Sequence, residues 1–221
     1  MQSIRFLTFL VLCGSLGFAS SLTSNKSDTY VRSIEQLGGI LADPMAFPET
    51  VEGFQRYLLV SGVRAVSAVE LTMPNHAGVA ARLGFSAFLP PRAWWPRGAA
   101  LALLTQTMQS TTHALAHVRN WWRPEAYNLD PSVGGAKNGD HPTANAFDLD
   151  FSSMIDRMKA ELFLRSLDKQ YPWMHLSLGL GALTAHIGLG SPRGHREWHY
   201  AGYRPPAGLR SADSRSANLL P

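Results

Sequence analysis

Two short stretches in the second half of the chain combine histidines with acids at spacings that suit metal chemistry. His141 precedes Asp148 by seven positions, and Glu197 precedes His199 by two. Two imidazoles and one carboxylate are a ligand set that a catalytic zinc ion takes from a protein, and water fills the fourth position. Such a metal lowers the pKa of its water and polarises a carbonyl group, and a free carboxylate nearby can transfer the proton. These residues could therefore form a hydrolytic zinc site.

The flanking sequence predicts that Asp148, Glu197 and His199 lie on β-strands. Residues 146–151 alternate apolar and acidic side chains, as a half-buried strand does, so Asp148 and Asp150 share one face. Asp150 could then orient a ligand imidazole. Residues 182–189 and 197–201 predict two more short strands joined by a turn, and in a strand Glu197 and His199 point to the same face.

Helices and loops are predicted for most of the remaining chain. Helices are predicted at residues 30–41, 99–116 and 153–170, the last with Ser152 or Ser153 at its cap. Residues 123–139 are rich in Pro, Gly, Asn and Asp and predict a loop, and Asp140 suits a turn. Three tryptophans could line a peptide cleft or belong to the core, namely Trp121, Trp122 and Trp198.

The N-terminal residues have the pattern of a secretory signal peptide. A basic residue, Arg5, is followed by an apolar run over residues 6–18 and then by small residues. We expect residues 1–20 to be removed on export to the periplasm or the medium, which leaves no stable membrane anchor. The only cysteine, Cys13, lies in this segment, so the mature chain would have no disulfide and no thiolate nucleophile.

The rest of the chain predicts one domain with polar ends. We expect a flexible leader and short helix at residues 21–45, a single domain at 46–204 and a disordered tail at 205–221. The net charge is +4, but Lys and Arg are scattered and form no basic stripe, which argues against nucleic-acid binding. No feature indicates an oligomer, so a monomer is the default.

The motif around His141 resembles the M15 family of zinc D-Ala-D-Ala peptidases, which share a metal-site core with the peptidase-like domain of hedgehog proteins. The family pattern Ser-x-His-x-x-Gly-x-Ala-x-Asp recurs with His141, Ala146 and Asp148 in place. Gly139 and Ala144 replace its serine and its glycine. The similarity covers most of the chain after the predicted signal peptide.

This resemblance implies a fold, a cofactor and an activity. The fold would be α+β, with a small antiparallel sheet that carries the zinc site and packs against helices. The activity would be zinc-dependent (Zn2+) hydrolysis of peptidoglycan stem peptides or cross-links, as a carboxypeptidase or an endopeptidase. The implied roles are metal binding by His141, Asp148 and His199, proton transfer by Glu197, substrate contact by Arg123, and proton donation or oxyanion contact by His195.

Three alternatives stay open. His186 competes for the third ligand position, because Ala185-His-Ile-Gly188 resembles the His-Val-Asp strand of one subgroup, with Gly188 in place of its Asp. The domain could also keep zinc without catalysis and bind cell-wall peptides or a protein. A serine peptidase motif, Ser-x-x-Lys, occurs at Ser166, but its companion motifs are missing.

Overall fold

The structure, a computed structural model, describes residues 26–191 and 194–206. The predicted signal peptide lies outside the described residues, as does the predicted tail from residue 207 onward. Within the described ranges, no helix has both the length and the apolar character that a membrane span requires.

The structure combines several helices with a five-stranded sheet, which confirms the α+β prediction. The helices are α1 Lys26–Gln36, α2 Val51–Val60, α3 Ala68–Thr72, α4 Ala77–Arg82, α5 Trp95–Thr112, α6 Glu125–Asn128 and α7 Met154–Gln170. The strands are β1 Ala116–Asn120, β2 Ala146–Phe151, β3 Ser177–Leu180, β4 Thr184–Gly188 and β5 Arg196–His199. The predicted 99–116 helix corresponds to α5, which starts earlier and ends before His113, a residue in the left-handed conformation (φ 56°).

The five strands form one mixed sheet in the order β1-β2-β4-β3-β5. Three pairings are antiparallel, as expected, but β5 pairs with β3 in parallel. A parallel neighbour needs a long connection. Here β4 and the following turn provide it, so the chain returns to the outer edge of β3 instead of continuing as a meander.

The sheet has one polar face and one apolar face, which we call the cleft face and the helix face. Pairing places Asp148 opposite His186, His186 opposite Gly179, and Gly179 opposite Trp198. Residues in register share a face, so these side chains lie on the cleft face. The helix face carries the alternate residues of β2, β3 and β4, which join the core with Leu164 of α7: Phe147, Leu149, Leu178 and Ile187.

Helix α7 begins at a capped residue and carries a buried ionic group. Ser153 caps it by accepting a hydrogen bond from the Asp156 N–H, which confirms the predicted cap. One turn further, Arg157 and Glu161 are both fully buried and form an ion pair. The other partners of Glu161 are Arg165, at 3.0 Å, and the Tyr203 hydroxyl, at 2.7 Å. We call these four residues the α7 network; it joins the helix to the segment that follows β5.

We predict that Glu161→Ala destabilises the protein strongly, because it leaves the buried Arg157 charge without its carboxylate. Removing one partner of a buried pair costs about 3–5 kcal/mol, whereas Glu35→Ala, at an exposed position of α1, should change stability by less than about 0.5 kcal/mol. Urea denaturation followed by circular dichroism measures both. Equal effects of the two substitutions would contradict the role given to the α7 network.

Candidate metal centre

Three buried side chains converge on the cleft face in an arrangement that could hold a metal ion. The ligand atoms of His141, Asp148 and His186 all lie within 4.8 Å of one another. Nε2 of His141 lies 3.1 Å from Oδ1 of Asp148, and Nδ1 of His186 lies 3.0 Å from the same oxygen. Two imidazole nitrogens and a carboxylate oxygen thus face a common point.

Strand pairing and a tight turn bring these three residues together. Asp148 and His186 occupy the middle of β2 and β4 and are direct partners across the antiparallel pairing. His141 begins a single 3-10 turn, His141–Thr143, just before β2. The turn ends at Ala144, which is buried and has φ 56°. This left-handed conformation favours glycine, and alanine adopts it here.

The outer nitrogen of each imidazole already has an acceptor. Nδ1 of His141 lies 2.6 Å from the carbonyl oxygen of Trp121, which can only accept, so Nδ1 carries the proton. Nε2 of His186 lies 3.4 Å from Oδ2 of Asp140. Metal-binding histidines usually donate their second N–H to a carbonyl or carboxylate in this way. Both rings are therefore oriented as ligands.

Burial and charge set the protonation of the group. Burial lowers the pKa of His141, which keeps its ring neutral. For Asp148, burial raises the pKa, but the two histidines outweigh burial and hold it well below its usual value. For His186, burial lowers the pKa, and Asp140 and Asp148 together reverse that effect and raise it. Since a ligand imidazole must be neutral, metal binding at this group would compete with protonation of His186.

Two arginines complete the surroundings. Oδ2 of Asp148 accepts a hydrogen bond from Arg123 at 2.5 Å, and Oδ2 of Asp140 accepts one from Arg196 at 2.7 Å. The five residues form a continuous series of polar contacts that we call the site network: Arg123, Asp148, His186, Asp140 and Arg196. Asp148 and Asp140 are thus each paired with an arginine, so both buried carboxylates have a counter-charge.

The site network lies in a cleft of about 720 Å³. Its lining contains four cations, Arg119, Arg123, Lys137 and Arg196, but among the described lining residues the only acids are Asp140 and Asp148. The aromatic side chains of Trp198 and Tyr200 form part of the wall. Because both acids are paired with arginines, the cleft offers a net positive charge to a ligand.

The structure does not bring Glu197 and His199 to this group. Glu197 accepts a hydrogen bond from Arg165 of α7 at 2.6 Å, and His199 Nε2 lies 2.9 Å from Glu197. The His199 ring stacks on Tyr203, with centroids 3.9 Å apart. The two residues share a face of β5, as expected, but it is the helix face, because the alternate residue Trp198 lines the cleft. We therefore assign the third ligand position to His186.

The other candidates have separate positions. Arg123 lies in the cleft, whereas His195 contacts Asp168 of α7 at 3.0 Å and is not among the cleft-lining residues. Asp150 pairs with Arg119 at 3.2 Å and contacts no ligand imidazole among the described contacts. Of the tryptophans, Trp121 is buried in the core, Trp122 is partly buried beside it, and Trp198 lines the cleft.

Sequence reasoning missed Asp140 and Arg196 as parts of the site. The sequence predicts a turn at Asp140, and nothing in the local pattern marks this residue as part of the site, although it directly precedes His141. A usable signal was the alternation of Arg196, Trp198 and Tyr200, whose basic and aromatic side chains all line the cleft.

Comparison of the chain with known protein families, with curated proteins and with solved structures finds no match.

We predict that His186→Ala abolishes tight metal binding and that His199→Ala leaves it unchanged. His186 provides one of the three converging donors, whereas His199 lies on the helix face. Metal content after dialysis against zinc, measured by atomic emission, distinguishes them: about one zinc per chain for wild type and His199→Ala, and none for His186→Ala. The reverse pattern would restore His199 as the ligand.

Proposed function

We propose that this protein is a zinc-dependent peptidase that hydrolyses peptidoglycan stem peptides or cross-links. The observation that carries the proposal is the buried His141, Asp148 and His186 group in a basic cleft. The M15-like motif supports the peptide substrate, and the signal-like pattern of residues 1–20 supports action outside the cytoplasm.

The donor set favours zinc among the common metals. Two imidazoles and one carboxylate are typical of catalytic zinc sites, whereas magnesium and calcium prefer oxygen ligands alone. Three protein donors leave the fourth coordination position for water. His141, Asp148 and His186 all line the cleft, so a metal ion that they held would adjoin the space that a substrate could enter.

Within the mechanism, zinc when bound supplies a Lewis acid and a water of lowered pKa. Asp148 is held by Arg123 through the oxygen that faces away from the two histidines, which fixes the carboxylate. The Tyr200 hydroxyl is the candidate proton donor to the leaving amine. Tyr200 lines the cleft, and its phenol is protonated at neutral pH as tyrosines ordinarily are.

The charge of the cleft supports an anionic substrate. Stem peptides carry carboxylates, and a planar guanidinium binds a carboxylate through two parallel N–H bonds. The Nε atoms of Arg119, Arg123 and Arg196 are buried and have no hydrogen-bond partner. Each guanidinium has five N–H donors, of which the contacts with Asp150, Asp148 and Asp140 use only a part, so these cleft-lining arginines retain donor capacity for a substrate carboxylate.

A second candidate function is a zinc-containing module that binds cell-wall peptides or a protein without cleaving them. One observation favours it: among the described residues of the cleft, no carboxylate is free to act as a base. Asp140 and Asp148 are both in the site network, and Glu197 contacts Arg165 on the helix face. If the protein is a peptidase, water activation must rely on the metal and these network residues.

Incubation of the zinc-loaded full chain with defined muropeptides, with products identified by mass spectrometry, tests the proposal. We expect cleavage by wild type, no cleavage by His186→Ala or after chelation, and little change in rate for Glu197→Gln, because Glu197 lies on the helix face and contacts Arg165, and its amide replacement still accepts a hydrogen bond there. Bound zinc and bound peptide without cleavage would establish the second function. A complete loss of turnover in a folded, zinc-loaded Glu197→Gln variant would return Glu197 to the base role.

A further inference from the structure

We propose that Asp140 is a positioning residue that selects which nitrogen of His186 binds the metal. The inference rests on the proposed metal centre. Asp140 contacts Nε2 of His186, the nitrogen that does not face Asp148, and acts through it.

The contacts of Asp140 hold its carboxylate in one place. Oδ2 accepts hydrogen bonds from the Ser177 hydroxyl at 3.0 Å and from Arg196 at 2.7 Å, and the residue is 7% exposed. Its main-chain carbonyl accepts bonds from the Asn145 N–H at 2.9 Å and from the Thr143 hydroxyl at 3.1 Å. The carboxylate is thus anchored from both its side chain and its backbone.

Ring packing alone cannot choose the nitrogen of His186. The ring lies against Trp198, with centroids 5.1 Å apart, and against His141, with centroids 5.0 Å apart. These contacts set the plane of the imidazole, but a half-turn of the ring exchanges nitrogen and carbon atoms with little change in shape. A carboxylate accepts hydrogen bonds only. Asp148 and Asp140 together favour the orientation in which Nδ1 faces Asp148 and Nε2 faces Asp140, and with a metal ion on Nδ1 the remaining ring proton would be held on Nε2 by Asp140.

Gly188 leaves the room that Asp140 and its anchor occupy. Ser177 and Gly188 are direct partners in the β3 and β4 pairing. A Cβ atom at residue 188 would overlap the Ser177 hydroxyl and lie 3.1 Å from Oδ2 of Asp140. The carboxylate that contacts His186 belongs to Asp140, the residue before His141. One short segment therefore provides both a candidate ligand, His141, and the group that orients His186.

Zinc affinity of the full chain, measured by competition with a chromophoric chelator, gives the first test. Loss of a carboxylate that orients a ligand histidine typically weakens metal binding about 10–100-fold. We expect a loss in this range for Asp140→Ala and a smaller one for Asp140→Asn, whose amide oxygen still accepts from Nε2. Asp150→Asn removes a carboxylate that pairs with Arg119, and should stay within about twofold of wild type.

Nitrogen-15 NMR of imidazole-labelled, zinc-loaded protein gives the second test. Wild type should show His186 with zinc on Nδ1 and a proton on Nε2, and Asp140→Ala should show a fraction with zinc on Nε2. Should Asp140→Ala fail to fold, Ser177→Ala removes an anchor of Asp140 instead and should produce the same change in smaller measure. Wild-type affinity together with an unchanged nitrogen assignment would overturn the role of Asp140, whereas a wild type without zinc binding would overturn the metal centre itself.

Discussion

The buried carboxylate of Asp148 is the group around which the site is built. Its oxygens contact His141 from the turn before β2, His186 from β4 and Arg123 from the segment after β1. Taking a carboxylate out of water costs several kcal/mol unless close partners offset the loss. Those partners come from three separate parts of the chain, so the sheet must be assembled before Asp148 is stabilised. Folding of the sheet and formation of the site are therefore coupled.

The two-residue period of the strands separates the chemistry of the sheet from its core. On β2, Asp148 faces the cleft while Phe147 and Leu149 join the apolar cluster. At the edge, Gly179 makes room for the indole of Trp198, since a Cβ there would lie 2.5 Å from the ring. Trp198 in turn packs against His186. A glycine on β3 thereby permits the ring contact between Trp198 on β5 and His186 on β4.

Local signals in the sequence were sufficient for β2, α7 and the pair His141 and Asp148. Alternating polarity, a capping serine and a fixed spacing each depend on neighbouring residues, and the structure contains all three. Local signals could not predict which face of the sheet each residue of β5 occupies. Period two shows that Glu197 and His199 lie together, but which side they occupy depends on pairing with β3 and on Arg165 in α7. Those partners are distant in sequence, and no local pattern identifies them.

Strand β5 makes ionic contacts on both faces of the sheet, which explains why a charged residue, Glu197, lies on its helix face. An edge strand of four residues buries little apolar surface, and its attachment relies on ionic contacts. Glu197 pairs with Arg165 on the helix face, while Arg196 pairs with Asp140 on the cleft face. In the site network two carboxylates balance two arginines, so a bound divalent cation would add uncompensated positive charge to a cleft that Lys137 also lines. An anionic ligand would offset that charge, which supports the proposal of a substrate rich in carboxylates.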